Sequence, residues 1–162
     1  MKLSALFISI LCLTACQALH STDPASLTFR IPDGSTLSLN KSLNIEKNNT
    51  HVVIQHGKIV REKDKDLYDI SCRFEMKAFG PRTVEPDTFN IRRMVDDLEQ
   101  ASSNSIWRNS TEIFLYSAHN SDIIKLDCSV WGDRADGSFP VSEIQKTLGD
   151  YFSFNFASGA NR

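Results

Sequence analysis

Apolar and polar residues alternate along two segments of the chain, a pattern typical of strands with one buried face. In residues 68–79 the apolar positions are Tyr68, Ile70, Cys72, Phe74, Met76 and Ala78. In residues 123–131 they are Ile124, Leu126, Cys128 and Val130. Because successive strand side chains point to opposite faces of a sheet, this two-residue period predicts two antiparallel strands with one face in the core.

Shorter segments also have the composition of strands. We predict strands at residues 27–31, 35–45, 51–55, 58–60, 88–95 and 111–118. Turn residues separate several of them, namely Pro32-Asp33-Gly34, His56-Gly57, Gly80-Pro81 and His119 to Asp122. We predict connections at the charged residues 61–66 and at the acidic and polar residues 96–105.

The chain ends with a different pattern, which predicts a short helix over residues 141–149. Ser142 and Gln145 have the spacing of a capping box, Ile144 and Leu148 share one face, and Gly149 suits a helix stop. About eight strands and one late helix predict a mainly β domain (a β-rich α+β fold). We expect an antiparallel sandwich or a partly open barrel with one short C-terminal helix.

Composition narrows the class of protein. The chain has 162 residues, of which 41% are hydrophobic, with 18 basic and 20 acidic side chains. This length and balance predict one globular domain. They disfavour a nucleic-acid partner, which would require a clustered basic excess, and a disordered tail, which would be more polar.

The N-terminus, MKLSALFISILCLTAC, predicts an export signal. Lys2 is followed by the apolar run 3–13, which is shorter than the ~20 residues of a transmembrane helix. A buried N-terminal helix with an incidental Cys16 is the alternative, but that helix would show amphipathic spacing, and this segment shows none. We therefore predict a secretory signal peptide.

The sequence Leu13-Thr14-Ala15-Cys16 resembles the lipobox of bacterial lipoproteins. The resemblance implies that the Cys16 thiol receives a diacylglyceryl group, that signal peptidase II cuts before Cys16, and that acyl chains attach the protein to a membrane. Gln17 follows the cysteine in place of the aspartate that retains such proteins in the inner membrane. In a Gram-negative host this implies the periplasmic face of the outer membrane.

These features predict the organisation of the whole chain. Residues 1–15 are the lipoprotein signal peptide, and residues 16–26 are the lipidated cysteine and a tether. Residues 27–156 are a single β-rich periplasmic domain, and residues 157–162 are a frayed C-terminus.

Cys72 and Cys128 lie on the apolar sides of the two alternating segments. Export would place them in an oxidising compartment, so we predict a disulfide between them. The alternative is two separate buried thiols that act as small apolar side chains. A redox-active pair would require a C-x-x-C spacing, which these residues lack.

The sequence offers no candidate for a catalytic or metal-binding site. The four histidines, His20, His51, His56 and His119, show no metal-ligand spacing. Acidic residues gather at Asp64, Asp66 and Asp69 and at residues 132–137, where a solvated turn is the better interpretation. Because the G-x-S-x-G and phosphate-loop patterns are missing as well, we predict no enzyme, no metal and no cofactor.

The last aromatic residues are the best candidate for binding. Tyr151, Phe152, Phe154 and Phe156 alternate with small polar residues. Exposed, they would offer an apolar patch or a strand to a protein partner; buried, they would complete the core. We favour burial.

The exported part resembles uncharacterised small envelope lipoproteins of proteobacteria. The resemblance lies in residues 68–75, in Cys128, and in Glu143-Ile144 with Leu148-Gly149-Asp150. We expect a non-enzymatic structural or interaction protein of the cell envelope, with a second envelope protein as partner. The alternative is a small-molecule or lipid binder with a cavity lined by residues such as Phe74, Met76 and Leu126, and a filled core would count against it.

Overall fold

A computed structural model describes residues 21–101, 105–134 and 137–158. Within these ranges the chain forms ten strands and one α-helix. Their bounds are β1 Thr36–Leu39, β2 Leu43–Ile45, β3 His51–Gln55, β4 Lys58–Val60, β5 Ser71–Met76, β6 Arg82–Val84, β7 Asp87–Gln100, β8 Trp107–Tyr116, β9 Ile123–Gly132, α1 Val141–Leu148 and β10 Phe152–Asn155.

Eight of the strands form one antiparallel sheet that curls into a half-barrel. Their order is β10-β1-β7-β8-β9-β5-β3-β4, and β2 pairs with β6 in a separate two-stranded sheet. The predicted mainly β fold with one short C-terminal helix is confirmed. Of the two arrangements expected, the curled sheet corresponds to the partly open barrel.

The concave face of the sheet holds the core. The predicted strand at residues 68–79 is confirmed over β5 alone, and Tyr68, which the period assigns to the core side, precedes β5 and is 62% exposed. Cys72, Phe74 and Met76 of β5 are each at most 2% exposed. The helix α1 packs Ile144 and Leu148 against this face, and both are fully buried. Burial of this contiguous apolar set is the main favourable term in folding.

The predicted hairpin at residues 51–60 is confirmed. His56 and Gly57, between β3 and β4, have φ values of 51° and 68°. Two consecutive positive φ angles match the twist of a tight hairpin. The predicted strand at 35–45 forms as two strands, β1 and β2, with the break at residues 40–42.

The helix ends where predicted but begins differently. Gly149 has a φ of 53°, a conformation that favours glycine, and it stops the helix. The predicted capping box is wrong, because Pro140 is the N-cap and no side chain caps the helix. The Ser142 N–H instead donates to the carbonyl of Pro24, at 3.0 Å.

Two other predictions are wrong. Residues 27–31 form no strand, because the preceding residues turn and the Phe29 N–H donates to the Ser26 carbonyl. Phe29 is nevertheless only 3% exposed. Residues 96–100, predicted as a connection, continue β7 because β8 pairs with them as far as Gln100 opposite Trp107.

The strand β9 departs in one detail from the simple alternation. Met76 of β5 pairs with Ile123 after a register shift, and Ile123 is buried, whereas Ile124 is only partly buried. The shift explains why Ile123 takes the inward position that the sequence assigns to Ile124.

None of the helical segments in the described ranges has the length and apolar character needed to cross a membrane.

Candidate functional site

The predicted lipidation site, Cys16, and the signal peptide 1–15 lie outside the described residues, as does His20. The described residues begin at Ser21, inside the predicted tether. There the Ser26 N–H donates to the Asp23 carbonyl, and Pro24 accepts from Ser142 in α1. The chain is therefore held against the domain from Pro24 onward.

Cys72 and Cys128 form the predicted disulfide. The two residues are direct partners across β5 and β9, and both are fully buried. The bond is therefore part of the core of the half-barrel.

The C-terminal aromatic residues largely join the core. Phe152 is 4% exposed and lies with its ring centroid 5.1 Å from that of Phe74. Phe154 stacks on Phe156 at 5.5 Å, and Phe29 meets Phe156 edge to face at 5.1 Å. Tyr151, Phe154 and Phe156 are each partly buried, so aromatic contacts within the domain occupy much of their surface.

The convex face of the sheet is crossed by the connection between β4 and β5, residues 61–70. Gln55 of β3, only 4% exposed, holds this connection. Its amide nitrogen donates to the carbonyls of Asp66 (2.8 Å) and Asp69 (3.1 Å), and its oxygen accepts from the Asp66 N–H at 3.0 Å. The Trp131 N–H donates to the Leu67 carbonyl at 2.7 Å, which fixes the far end.

A groove of about 520 Å³ lies on one side of this connection, next to β4. Val52, Val53, Ile59 and Val60 give it an apolar lining, and polar and charged side chains complete it. The latter are Asn44, Glu46, Asn49, His51, Arg61, Glu62 and Lys63. The strand β4 is at the end of the sheet order, and Ile59 is 44% exposed there.

A smaller pocket of about 320 Å³ is lined by the connection together with β5, β8 and β9. Its lining combines charged, hydroxyl and apolar side chains, which are Glu62, Lys65, Leu67, Ser71, Arg73, Arg108, Ser129 and Trp131. Ser71 and Ser129 are direct partners across β5 and β9, and Ser110 of β8 pairs with Ser129. Since directly opposed residues share a face, the three serines form a row across three strands.

Glu62 lines both sites and is the centre of an ionic network. Its Oε1 accepts from Arg73 Nη2 at 2.9 Å and from Lys65 Nζ at 2.5 Å, and His51 Nε2 is 3.3 Å from its Oε2. Burial raises the pKa of Glu62, but the hydrogen bond from Lys65 and the charges of Arg73 and Lys65 outweigh burial, so the pKa lies below its ordinary value.

Neighbouring strands extend this network. Lys125 pairs with Glu112 and lies 3.8 Å from Glu75. Burial lowers the pKa of Lys125, but the hydrogen bond that Lys125 donates to Glu112 and the charges of the nearby carboxylates outweigh burial, so the pKa lies above its ordinary value. Arg108 donates two hydrogen bonds to Asp127, at 2.8 and 2.6 Å. The convex face is therefore bound together by paired charges.

The structure places the histidines apart. His51 contacts Glu62, while His56 Nε2 lies 3.2 Å from Asp69 Oδ2. His119 lies in the predicted turn, where its N–H donates to Ser117 Oγ. Across residues 21–101, 105–134 and 137–158, no group of three His, Cys, Asp or Glu residues is arranged to hold a metal ion.

Sequence reasoning did not identify Glu62, Arg73, Arg108 and Trp131 as site residues. One signal was available, because opposite charges occur at the solvent-facing positions of both alternating strands. Arg73 is paired with Asp127, and Glu75 with Lys125. Such complementary cross-strand pairs indicate the register of β5 and β9.

Comparisons of the chain with protein-family models, with curated proteins and with solved structures find no match.

Proposed function

We propose that this protein is a lipid-anchored protein of the bacterial outer membrane, facing the periplasm, that acts by binding another envelope protein and not by catalysis. The anchor follows from the lipobox-like residues Leu13 to Cys16. The buried Cys72–Cys128 disulfide supports it, because disulfides persist in exported proteins.

The observation that carries the binding role is the open edge strand β4 beside the groove. Within the described residues β4 pairs only with β3, so one row of its backbone groups is available to another strand. The groove beside it offers valine and isoleucine side chains. This combination suits an extended segment of a partner protein, which would pair with β4 and place alternate apolar side chains in the groove.

The filled core counts against the alternative of a ligand cavity inside the sheet. Phe74 and Leu126 are fully buried and Met76 is 2% exposed, and all three belong to one contiguous cluster. A lipid in that place would have to displace packed side chains, which costs the dispersion contacts they make with each other.

The short link to the anchor restricts where the partner is found. Between Cys16 and Ser21 there are five residue steps, which reach about 17 Å at full extension. Since Pro24 is bound to α1, the domain would lie close to the membrane surface. This placement favours a partner that is a membrane protein or another protein held at that surface.

Photocrosslinking in intact cells tests this role. A photoreactive amino acid replaces Ile59 in the full-length protein, and matched positions are Lys146 on α1 and Ser153 on the opposite edge strand β10. We expect one protein adduct from position 59 that positions 146 and 153 do not give. The same adducts from all three positions, or no adduct from position 59, would contradict binding at β4.

A further inference from the structure

The side chains that line the smaller pocket carry a net positive charge, whereas those that line the groove beside β4 are balanced. Three cationic side chains line it, Lys65, Arg73 and Arg108, against the single carboxylate of Glu62. The other carboxylates that pair with these cations, including Asp127 and Glu99, do not line the pocket. The lining therefore carries a formal excess of two positive charges.

These cations are held in place before any ligand arrives. Arg108 is fixed by two hydrogen bonds to Asp127, whose side chain is 6% exposed. The Lys65 side chain is 14% exposed and forms an ion pair with Glu62, and both residues belong to the connection that lines the pocket. Preorganised donors lower the entropy cost of binding, because few side chains need to be ordered.

The pocket also has hydrogen-bonding capacity that the described protein groups do not use. Arg73 donates from its two terminal nitrogens to Glu62 and Glu75, while its Nε is buried without a hydrogen-bond partner. An unpaired buried donor is costly, so an acceptor oxygen that reaches Arg73 Nε would be favourable.

One wall of the pocket is apolar. Trp131 of β9 and Leu67 of the connection contribute it. A volume of about 320 Å³ corresponds to roughly ten water molecules at ~30 Å³ each. The site therefore has room for a small organic molecule beyond a single anionic group.

We infer that this pocket binds a small organic anion, whose carboxylate or phosphate oxygens meet Arg73, Arg108 and Lys65 and whose apolar part contacts Trp131. Guanidinium groups recognise both kinds of oxyanion through paired N–H donors. The lining of this site shares only Glu62 with the lining of the groove beside β4. The anion site goes beyond the proposed function and does not depend on the lipid anchor or on a protein partner.

The test uses three ring compounds that differ in charge. Benzoate carries a carboxylate, phenyl phosphate carries a phosphate, and benzamide is neutral. Binding to the purified full chain is measured by calorimetry at low and high salt. We expect at least one anion to bind at least about tenfold more tightly than benzamide, with an affinity that falls as salt rises. A preference between the two anions identifies the oxyanion, and either preference supports the site.

Matched variants locate the binding. R73Q and K65Q should each weaken anion binding about tenfold, since each removes a charged donor. R92Q makes the same change as R73Q at an exposed arginine that lies over Tyr116, and it should leave binding unchanged. Because Glu62 keeps other cationic partners in R73Q and in K65Q, both variants should fold, and their thermal unfolding checks this. Equal affinity for benzamide, no anion binding at millimolar concentration, or unchanged binding in folded R73Q and K65Q would overturn the inference.

Discussion

Cys72 and Cys128 lie directly opposite each other on β5 and β9, with their Cα atoms 3.9 Å apart and their sulfurs bonded. The bond joins two central strands that are separated by 56 positions in the sequence. It therefore connects the first half of the domain to the second half within the core.

The first prediction concerns this bond. The variant C72A/C128A should lose about 2–4 kcal/mol in the free energy of unfolding, because the unfolded chain is no longer constrained by a long closed loop. Urea denaturation followed by circular dichroism measures the change. Thiol titration of the denatured, unreduced domain should find neither of these two thiols free, and the release of two thiols would show that the bond is absent in solution.

The second prediction concerns the end of α1, where two glycines meet. A Cβ placed on Gly149 would lie 2.7 Å from the Cα of Gly57, and Gly149 also has a positive φ. We expect G149A to destabilise the domain by about 3 kcal/mol, from backbone strain together with steric overlap. G137A is the matched control, since Gly137 has a φ of +62° but no atom within 4 Å of its added Cβ. It should cost only the strain of about 1 kcal/mol, and equal losses in both variants would argue against the close approach.

The third prediction concerns Gln55, which holds the connection over the convex face. Q55L removes the partners of three backbone groups, at Asp66 and Asp69, and we expect a loss of about 2 kcal/mol in the free energy of unfolding. Hydrogen exchange of the Asp66 amide should become faster as well. Q100L, which changes an exposed glutamine at the end of β7, should leave that amide unaffected. Unchanged exchange in Q55L would mean that other contacts hold the connection.

The fourth prediction is a pH dependence that arises from Glu62. The pKa of Glu62 is lowered in the folded state, so its ionised form stabilises the fold. This stabilisation is fully present at a pH above the ordinary glutamate pKa of about 4.3. It is lost as the pH falls through the lowered pKa of the folded protein. The free energy of unfolding of the unsubstituted protein should exceed that of E62Q near pH 6, and the difference should shrink below pH ~4. Urea titrations between pH 3 and pH 7 measure both, and E143Q serves as a control that removes a carboxylate outside this network. A difference that grows on acidification would contradict the ion pairs of Glu62.

The strands that the sequence predicts best are those whose two faces differ most. In β5 and β9 every second residue is apolar, so the period alone defines the strand and its buried side. The residues 96–100 contain Asp96, Asp97 and Glu99 and have no such period. They form a strand because β8 supplies their backbone hydrogen-bond partners. This pairing depends on the tertiary fold and is not visible in the local sequence. At residues 27–31 the sequence predicts a strand and none forms. The cause is local, because the Ser26 carbonyl accepts from the Phe29 N–H in a turn that the short alternating segment does not indicate.

The candidate sites were harder to predict than the fold. The pocket with Arg73 and Arg108 is assembled from three strands and one connection that are distant in the sequence. A short motif cannot encode such a place, and only the register of β5, β8 and β9 brings its residues together. The disulfide was predictable because both cysteines occupy inward positions of strongly periodic strands.

The proposed lipid on Cys16 would determine where the protein acts, and intact-mass spectrometry of the full-length gene product extracted from membranes tests it most directly. We predict a chain that begins at Cys16, with a mass above that of residues 16–162 by a diacylglyceryl group and an amide-linked acyl chain. The variant C16S should lack this added mass and leave the membrane fraction. An unmodified chain, or one whose first residue is not Cys16, would contradict the lipid anchor and with it the proposed place in the envelope.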